Sequence, residues 1–187
     1  MTLTKGIPMN PVLLTNENLT LKTLAIENAA ELFAMTDKNR SYLRQWLPWL
    51  DHTKSVADSK GFIEFSHKEI ESNVGLVLGV WSMNRLVGVC SLQKINKTNR
   101  AANIGYWISA DEAGKGFARS ATKTLMEYAF YKLNIHRIEI RCATENVASQ
   151  KVAESCGLKF EGISRDAEWL YDHFVSHKIY GILSTDR

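Results

Sequence analysis

The sequence predicts an α+β domain built on a mixed, mostly antiparallel sheet flanked by helices. Three observations carry this: an alternating strand that gives way to helical periodicity, a run of three strand patterns with short connections, and a helix–strand–helix succession closing on two more strands. LTLKTL, residues 19–24, alternates apolar and polar residues as a half-buried strand does. Ala25 to Met35 carries apolar residues at helical spacing, NRSYLRQWLPWL reads as a second short helix ended near Pro48, and Ser55 to Ile70 reads as a third. NVGLVLGVWS, RLVGVCSLQKI and AANIGYWIS then follow as an antiparallel meander, the first pair joined at an Asn84-centred turn and the second across NKTNR. In the last of these, Ile104, Tyr106 and Ile108 point one way, and Asn103, Gly105, Trp107 and Ser109 the other. A long helix is predicted from about Gly116 to Leu133. Ala118, Ala121, Leu125, Met126, Ala129, Phe130 and Leu133 form its apolar face. The strand HRIEIRCAT, a helix from about Asn146 to Ser155, and strands around LKFEGISRDAEWL and FVSHKIYGIL complete the chain.

At 187 residues and 45% hydrophobic composition, the chain has enough apolar material for one substantial core. No linker, repeat or low-complexity tract divides it, so a single domain over residues 1–187 is expected. The balance of 23 basic against 20 acidic residues, net +3, is small and dispersed, and gives no footprint for direct nucleic-acid binding. MTLTKGIPMNPVLL lacks the apolar core of a signal peptide, and the longest apolar run, VGLVLGVW, is far short of a membrane span. Cys90, Cys142 and Cys156 are odd in number and without CxxC spacing, which argues against a disulfide framework or a zinc site. A cytoplasmic protein with no membrane partner and no metal is the expectation. Neither Cys142 nor Cys156 has a His/Asp constellation at recognisable spacing, so buried thiols are expected rather than nucleophiles.

The chemistry gathers around ADEAGKGFARSATK, residues 110–123. Gly114 and Gly116 let the backbone turn tightly and present successive N–H groups at a helix start, where the positive dipole end attracts an anion. Taken alone, the same glycines fit a plain strand-to-helix turn equally well. A P-loop is excluded because Lys115 is followed by Gly116 rather than a hydroxyl residue. A dinucleotide fingerprint fails too, since its third glycine would fall on Arg119 and the preceding strand alternates.

With AGKGFA at residues 113–118, the sequence resembles the GCN5-related N-acetyltransferases, whose signature is Gln/Arg-x-x-Gly-x-Gly/Ala; Ala113 replaces the usual Gln or Arg. LTLKTLAIENAAELF, NRSYLRQWLPWL, NIGYWISADEAGKGFARSATKTLMEYAF and ENVASQKVAESCGLKFEG run in the order typical of the RimJ/RimL-like branch, covering nearly the whole chain. The resemblance implies a sheet splayed between its fourth strand, NIGYWIS, and its fifth, HRIEIRCAT, with acetyl-CoA as cosubstrate in the gap. It assigns backbone groups near Trp107, Ile108 and Ser109 to the pantetheine arm and acetyl carbonyl. The pyrophosphate falls to amides from Gly114 and Lys115 through Gly116, Phe117, Ala118 and Arg119 to about Ser120. The side chains of Lys115 and Arg119 either add charged contacts or stay solvated.

Asn146 matches an asparagine that bonds the pantetheine or incoming peptide in relatives; it also suits an N-cap before VASQKVAESCG. The tyrosine that many members place seven residues later, to protonate the leaving thiolate, is Ala153 here. In the RimL-like pattern a serine three residues after the asparagine stands near the sulfur, and Ser149 holds that position; without the resemblance it is a first-turn helix serine. The catalytic residues implied are therefore Ser149 and a general base, Glu168, which the RimL-like pattern sets facing the acceptor amine, directly or through water. Glu168 also reads as an outward strand residue or a partner for Arg165, and Asp166 and Asp172 are less favoured candidates for the base. Trp46, Pro48 and Trp49 read as an apolar wall beside the acceptor, or as core.

The implied reaction is direct attack of a primary amine on the thioester. The acceptor is the α-amine of a ribosomal or other protein, or else a polyamine or amino sugar. A CoA-binding module without catalysis and a ribosome-binding protein are the competing classes. Homodimers are common in the branch.

Overall fold

In the computed structural model, which describes Ile7, residues 13–16 and residues 19–186, eight strands form one sheet. They are β1 (Leu13–Thr15), β2 (Thr20–Thr23), β3 (Leu76–Ser82), β4 (Arg85–Asn96), β5 (Ala101–Ile108), β6 (Arg137–Ala143), β7 (Lys159–Leu170) and β8 (His173–Leu183). Helices α1 (Ala29–Lys38), α2 (Arg40–Leu43) and α3 (Val56–Ser72) lie between β2 and β3. The longer α4 (Phe117–Tyr131) joins β5 to β6, and α5 (Val147–Ser155) joins β6 to β7. The order across the sheet is β1-β2-β3-β4-β5-β6-β8-β7. Every pair is antiparallel except β5 with β6. The predicted α+β class and mixed sheet hold.

β1 is the one strand the periodicity does not reveal, and it shifts the count: the predicted fourth and fifth strands are β5 and β6. At three residues it is too short to show a period. The expected second helix is also shorter, ending at Leu43, with a separate helical turn at Leu50–His52 beyond Pro48. The reading of MTLTKGIPMNPVLL as lacking a leader falls outside the described residues, apart from Ile7 and residues 13–14. Among the described residues no helix is long and apolar enough to cross a membrane.

Both faces of the central strands are covered, which is why β3 is buried along almost its whole length. Leu76, Leu78 and Val80 join Ala121, Leu125 and Ala129 of α4 in one core, while Val77 and Trp81 join Leu32 of α1 and Ile63 of α3 in another. β5 obeys the predicted alternation. Ile104 and Ile108 enter the α4 side, Tyr106 packs against it, and Trp107 packs against the opposite core. The turn from β3 to β4 is Met83–Asn84, both at positive φ (49° and 62°), a two-residue hairpin whose twist matches its strands.

The feature that positions the site is a split in the sheet. β5 pairs with β6 only from Ala101–Arg137 to Asn103–Glu139. β5 continues against β4 to Ile108, and β6 against β8 to the Ala143–His177 pair. The two neighbours share a base and part above it, as the resemblance implies.

Candidate active site

α4 starts at the open end of the split. Gly114 and Gly116 adopt φ of 78° and 83°, left-handed conformations that glycine enters without a Cβ penalty. No side chain caps α4, so the N–H groups of Phe117, Ala118 and Arg119 have no helical acceptor and point to the space before the helix. Ser120 differs from the expectation: its N–H is used within the helix on the Gly116 carbonyl (2.9 Å), and its hydroxyl accepts from the Asn16 amide (2.9 Å). A cavity of about 870 Å³ borders this end of α4 on the side of β2 and the β3–β4 turn, and Lys22, Lys115, Arg119 and Lys123 line it, with no residue of β5, β6 or α5. Lys115 is held at 2.8 Å by Glu112, which also takes Arg85 at 2.6 Å. The Lys115 hydrogen bond keeps the Glu112 carboxyl below the usual carboxylate range. Arg119 and Lys123 make no ion pair among the described residues. Open amides, a helix dipole and unneutralised cations together suit a diphosphate.

Inside the split stand Tyr106 from β5 and Ser149 from α5. Asn146 caps α5, its side-chain oxygen accepting the Ser149 N–H at 3.0 Å, so the cap reading of Asn146 holds and Ser149 is fixed in the first turn. The Tyr106 hydroxyl lies 2.9 Å from the Ser149 hydroxyl and 3.1 Å from the Ser149 carbonyl, bridging the gap that the strands leave. Burial pushes the Tyr106 phenol up, so it stays a neutral hydrogen-bonding group. Sequence reasoning placed Tyr106 only on the same face of an alternating strand as Ile104 and Ile108. All three cysteines are buried, and burial raises the thiols of Cys142 and Cys156, which makes them poor nucleophiles.

Glu168 lies on the other face of the sheet. Lys178 opposes Cys142 and reaches Gln150 of α5 at 2.8 Å, so His177, opposing Ala143, points away from α5. A bulge between Ser164 and Glu168 brings the Glu168 carboxylate to 3.4 Å from the His177 ring nitrogen Nε2. Its neighbour is thus His177, not Arg165. Sequence reasoning missed His177 because a one-residue register cannot be read across a bulge.

Trp107 shares this second face and meets Trp49 with ring centroids 6.2 Å apart. The β7–β8 hairpin closes over the same side. Tyr171 donates to the Leu47 carbonyl at 2.5 Å, and Arg44, paired with Asp51 at 2.9 Å, stacks 3.8 Å above the Tyr171 ring. Among the described residues, no group of three or more His, Cys, Asp or Glu could hold a metal ion.

Such a split, with open amides at the start of the helix beside it, has room for a thin donor that carries a diphosphate. The class of protein this describes is the acyl-CoA-dependent N-acyltransferase. Residues 18–159 match the family model "Acetyltransferase (GNAT) domain", and the chain belongs to that family. It is 26% identical to the ribosomal-protein-serine acetyltransferase of Escherichia coli (strain K12) over 92% of this chain and 96% of that one.

Among solved structures, the Microcin C7 self immunity acetyltransferase MccE, in complex with acetyl-CoA and AMP, is 30% identical. It superposes with a TM-score of 0.86 over 90% of this chain and 93% of its own. RimL, the ribosomal L7/L12 alpha-N-protein acetyltransferase in complex with coenzyme A, shares the fold at a TM-score of 0.90 and 23% identity, over 94% of this chain and 100% of its own. The chain is an acetyl-CoA-dependent N-acetyltransferase of the RimJ/RimL-like branch.

Proposed function

We propose that residues 1–187 form one GNAT domain that acetylates the N-terminal α-amine of a protein, a ribosomal protein in the first instance, by direct attack on the thioester. Acetyl-CoA fits the residues present. The open amides of Phe117, Ala118 and Arg119, with Gly114, Lys115 and Gly116 before them, receive the diphosphate. The backbone of Trp107, Ile108 and Ser109 borders the pantetheine arm. An amide on this unpaired edge of β5 aimed at the acetyl oxygen stabilises the charge that develops there.

The observation that supports the reading is that Ser149 and Glu168 lie on opposite faces of the sheet that is split between β5 and β6. The acceptor reaches the carbonyl carbon as a neutral amine, its ammonium proton already lost to water. The N–C bond forms, and Glu168 takes a proton from the nitrogen. The C–S bond then breaks; sulfur leaves as a thiolate hydrogen-bonded to Ser149 and is protonated from solvent. An α-amine, with a pKa about 7.7–8.0, is roughly a tenth neutral at pH 7, whereas a lysine near 10.4 is almost wholly charged. The α-amine therefore asks less of a single carboxylate. The acceptor of the Escherichia coli relative, a ribosomal-protein serine by its name, supports the same choice. The enzyme works in the cytoplasm, as a homodimer.

Thiol release measured over a panel of peptides, polyamines and amino sugars tests this. Glu168→Gln is expected to lower kcat about 10²- to 10⁴-fold with acetyl-CoA affinity retained, and Ser149→Ala about tenfold or more. Equal rates for Glu168→Gln and the unaltered enzyme at every pH would remove Glu168 as the base. Turnover only with polyamines or amino sugars would replace the proposed acceptor.

A further inference from the structure

We infer that Tyr106 is a positioning residue for thiol departure, switching the Ser149 hydroxyl between a closed hydrogen-bonded pair and an orientation aimed into the split. The inference rests on the proposed role of Ser149. Tyr106 has two acceptors within reach on one residue: the Ser149 carbonyl at 3.1 Å and the Ser149 hydroxyl oxygen at 2.9 Å. When its O–H donates to the carbonyl, the Ser149 O–H donates back to the Tyr106 oxygen. Both protons are then satisfied, and none points at the donor site. When the Tyr106 O–H turns to the Ser149 hydroxyl oxygen, the Ser149 proton is released toward the place where negative charge appears on sulfur.

One rotation of the phenol hydrogen links the two states, with no heavy atom displaced and no proton transferred. The backbone around this pair is fixed. Asn146 accepts the Ser149 N–H at 3.0 Å, and Tyr106 is anchored on β5 by its pairing with Cys90 on β4. The raised phenol and the still weaker acidity of a serine hydroxyl both argue against either being a net acid for a thiolate. Their use is a charge-assisted hydrogen bond that is strongest as the C–S bond breaks.

The occupant of the position seven residues after Asn146 adds to this. Ala153 is fully buried and carries no donor, whereas Ser149, one turn earlier on α5, carries a hydroxyl and meets Tyr106 directly.

Tyr106→Phe keeps the ring that packs against the core and removes only the hydroxyl. Two quantities measured on the full chain decide the matter, acetyl-CoA Kd by calorimetry and kcat by thiol release, each read with and without Ser149→Ala. The expected result is kcat lowered about 3- to 10-fold, Kd within about twofold, and no further loss when Tyr106→Phe is placed in the Ser149→Ala background. An unchanged kcat, a Kd that weakens as much as kcat falls, or losses that multiply in the double variant would each overturn the inference. If Ser149→Ala alone runs at the full rate, the role of Ser149 fails and takes this inference with it. An impaired Ser149→Ala beside an unimpaired Tyr106→Phe removes the inference only.

Discussion

At Gly116 the backbone sits at φ 83°, a conformation that costs an alanine about 1 kcal/mol. A Cβ there would meet nothing within 4 Å, so crowding contributes no part of the cost. What changes is the direction of the amides that follow. Gly116→Ala is therefore expected to leave the fold intact but to weaken acetyl-CoA binding by about tenfold, near 1.4 kcal/mol; titration calorimetry reads this directly. An unchanged affinity would mean that the amides of Phe117, Ala118 and Arg119 do not hold the diphosphate. The glycines were legible because a positive φ favours glycine over residues with a Cβ. Tyr106 and His177 were not, since each gains its meaning from a partner on another element: Ser149 across a gap, and Glu168 across a bulge.

Between elements, the critical approach is β4 against β5. A Cβ on Gly88 would lie 2.3 Å from the Trp107 carbonyl oxygen, 2.6 Å from Ile108 Cδ1 and 3.0 Å from the Ile108 Cα, so backbone as well as side chain is in the way. Gly88→Ala must push the end of β5 off its neighbour, at the residues that border the split. The expected cost is about 1–3 kcal/mol in a urea melt, accompanied by weaker acetyl-CoA binding; a variant as stable as the parent would refute the close contact. Helices and strands with full periods were readable in advance: α4 from its apolar face, β5 from its alternation. The two-residue turn at Met83–Asn84 was readable from its asparagine. β1 was too short to show a period, and the bulge between Ser164 and Glu168 leaves no mark in an alternating pattern. The split itself came from family resemblance, because nothing local in NIGYWIS or HRIEIRCAT announces that the two strands stop pairing after Asn103 and Glu139.

For the whole molecule, carboxylates determine how stability responds to acid. Glu112 is lowered first by its hydrogen bond to Lys115, Asp111 by Lys38, Asp51 by Arg44 and Glu161 by Arg137. Each binds its proton less readily folded than unfolded, where the ordinary values are about 3.9–4.3. Their stabilisation is therefore complete above those values and is lost as pH falls through the lower folded ones. Glu69 acts in the opposite sense, since burial raises it, but it stands alone among these groups.

Most of these pairs reach solvent, so each contributes little, and their sum is sensitive to salt. The urea midpoint is expected to hold between pH 7 and 5, to fall below about pH 4, and to fall less steeply in about 0.5 M salt, where exposed pairs are screened. Glu112 ties this response to the proposed donor site, because one carboxylate holds both Arg85 at the start of β4 and Lys115 in the loop before α4. Glu112→Gln at pH 7 should reproduce locally what acid does globally: a lower midpoint and a more mobile Lys115, with the acid slope reduced. A midpoint that stays level from pH 5 to pH 3 would show that these ion pairs do not contribute to folding, and that the loop keeps its shape through its glycines alone.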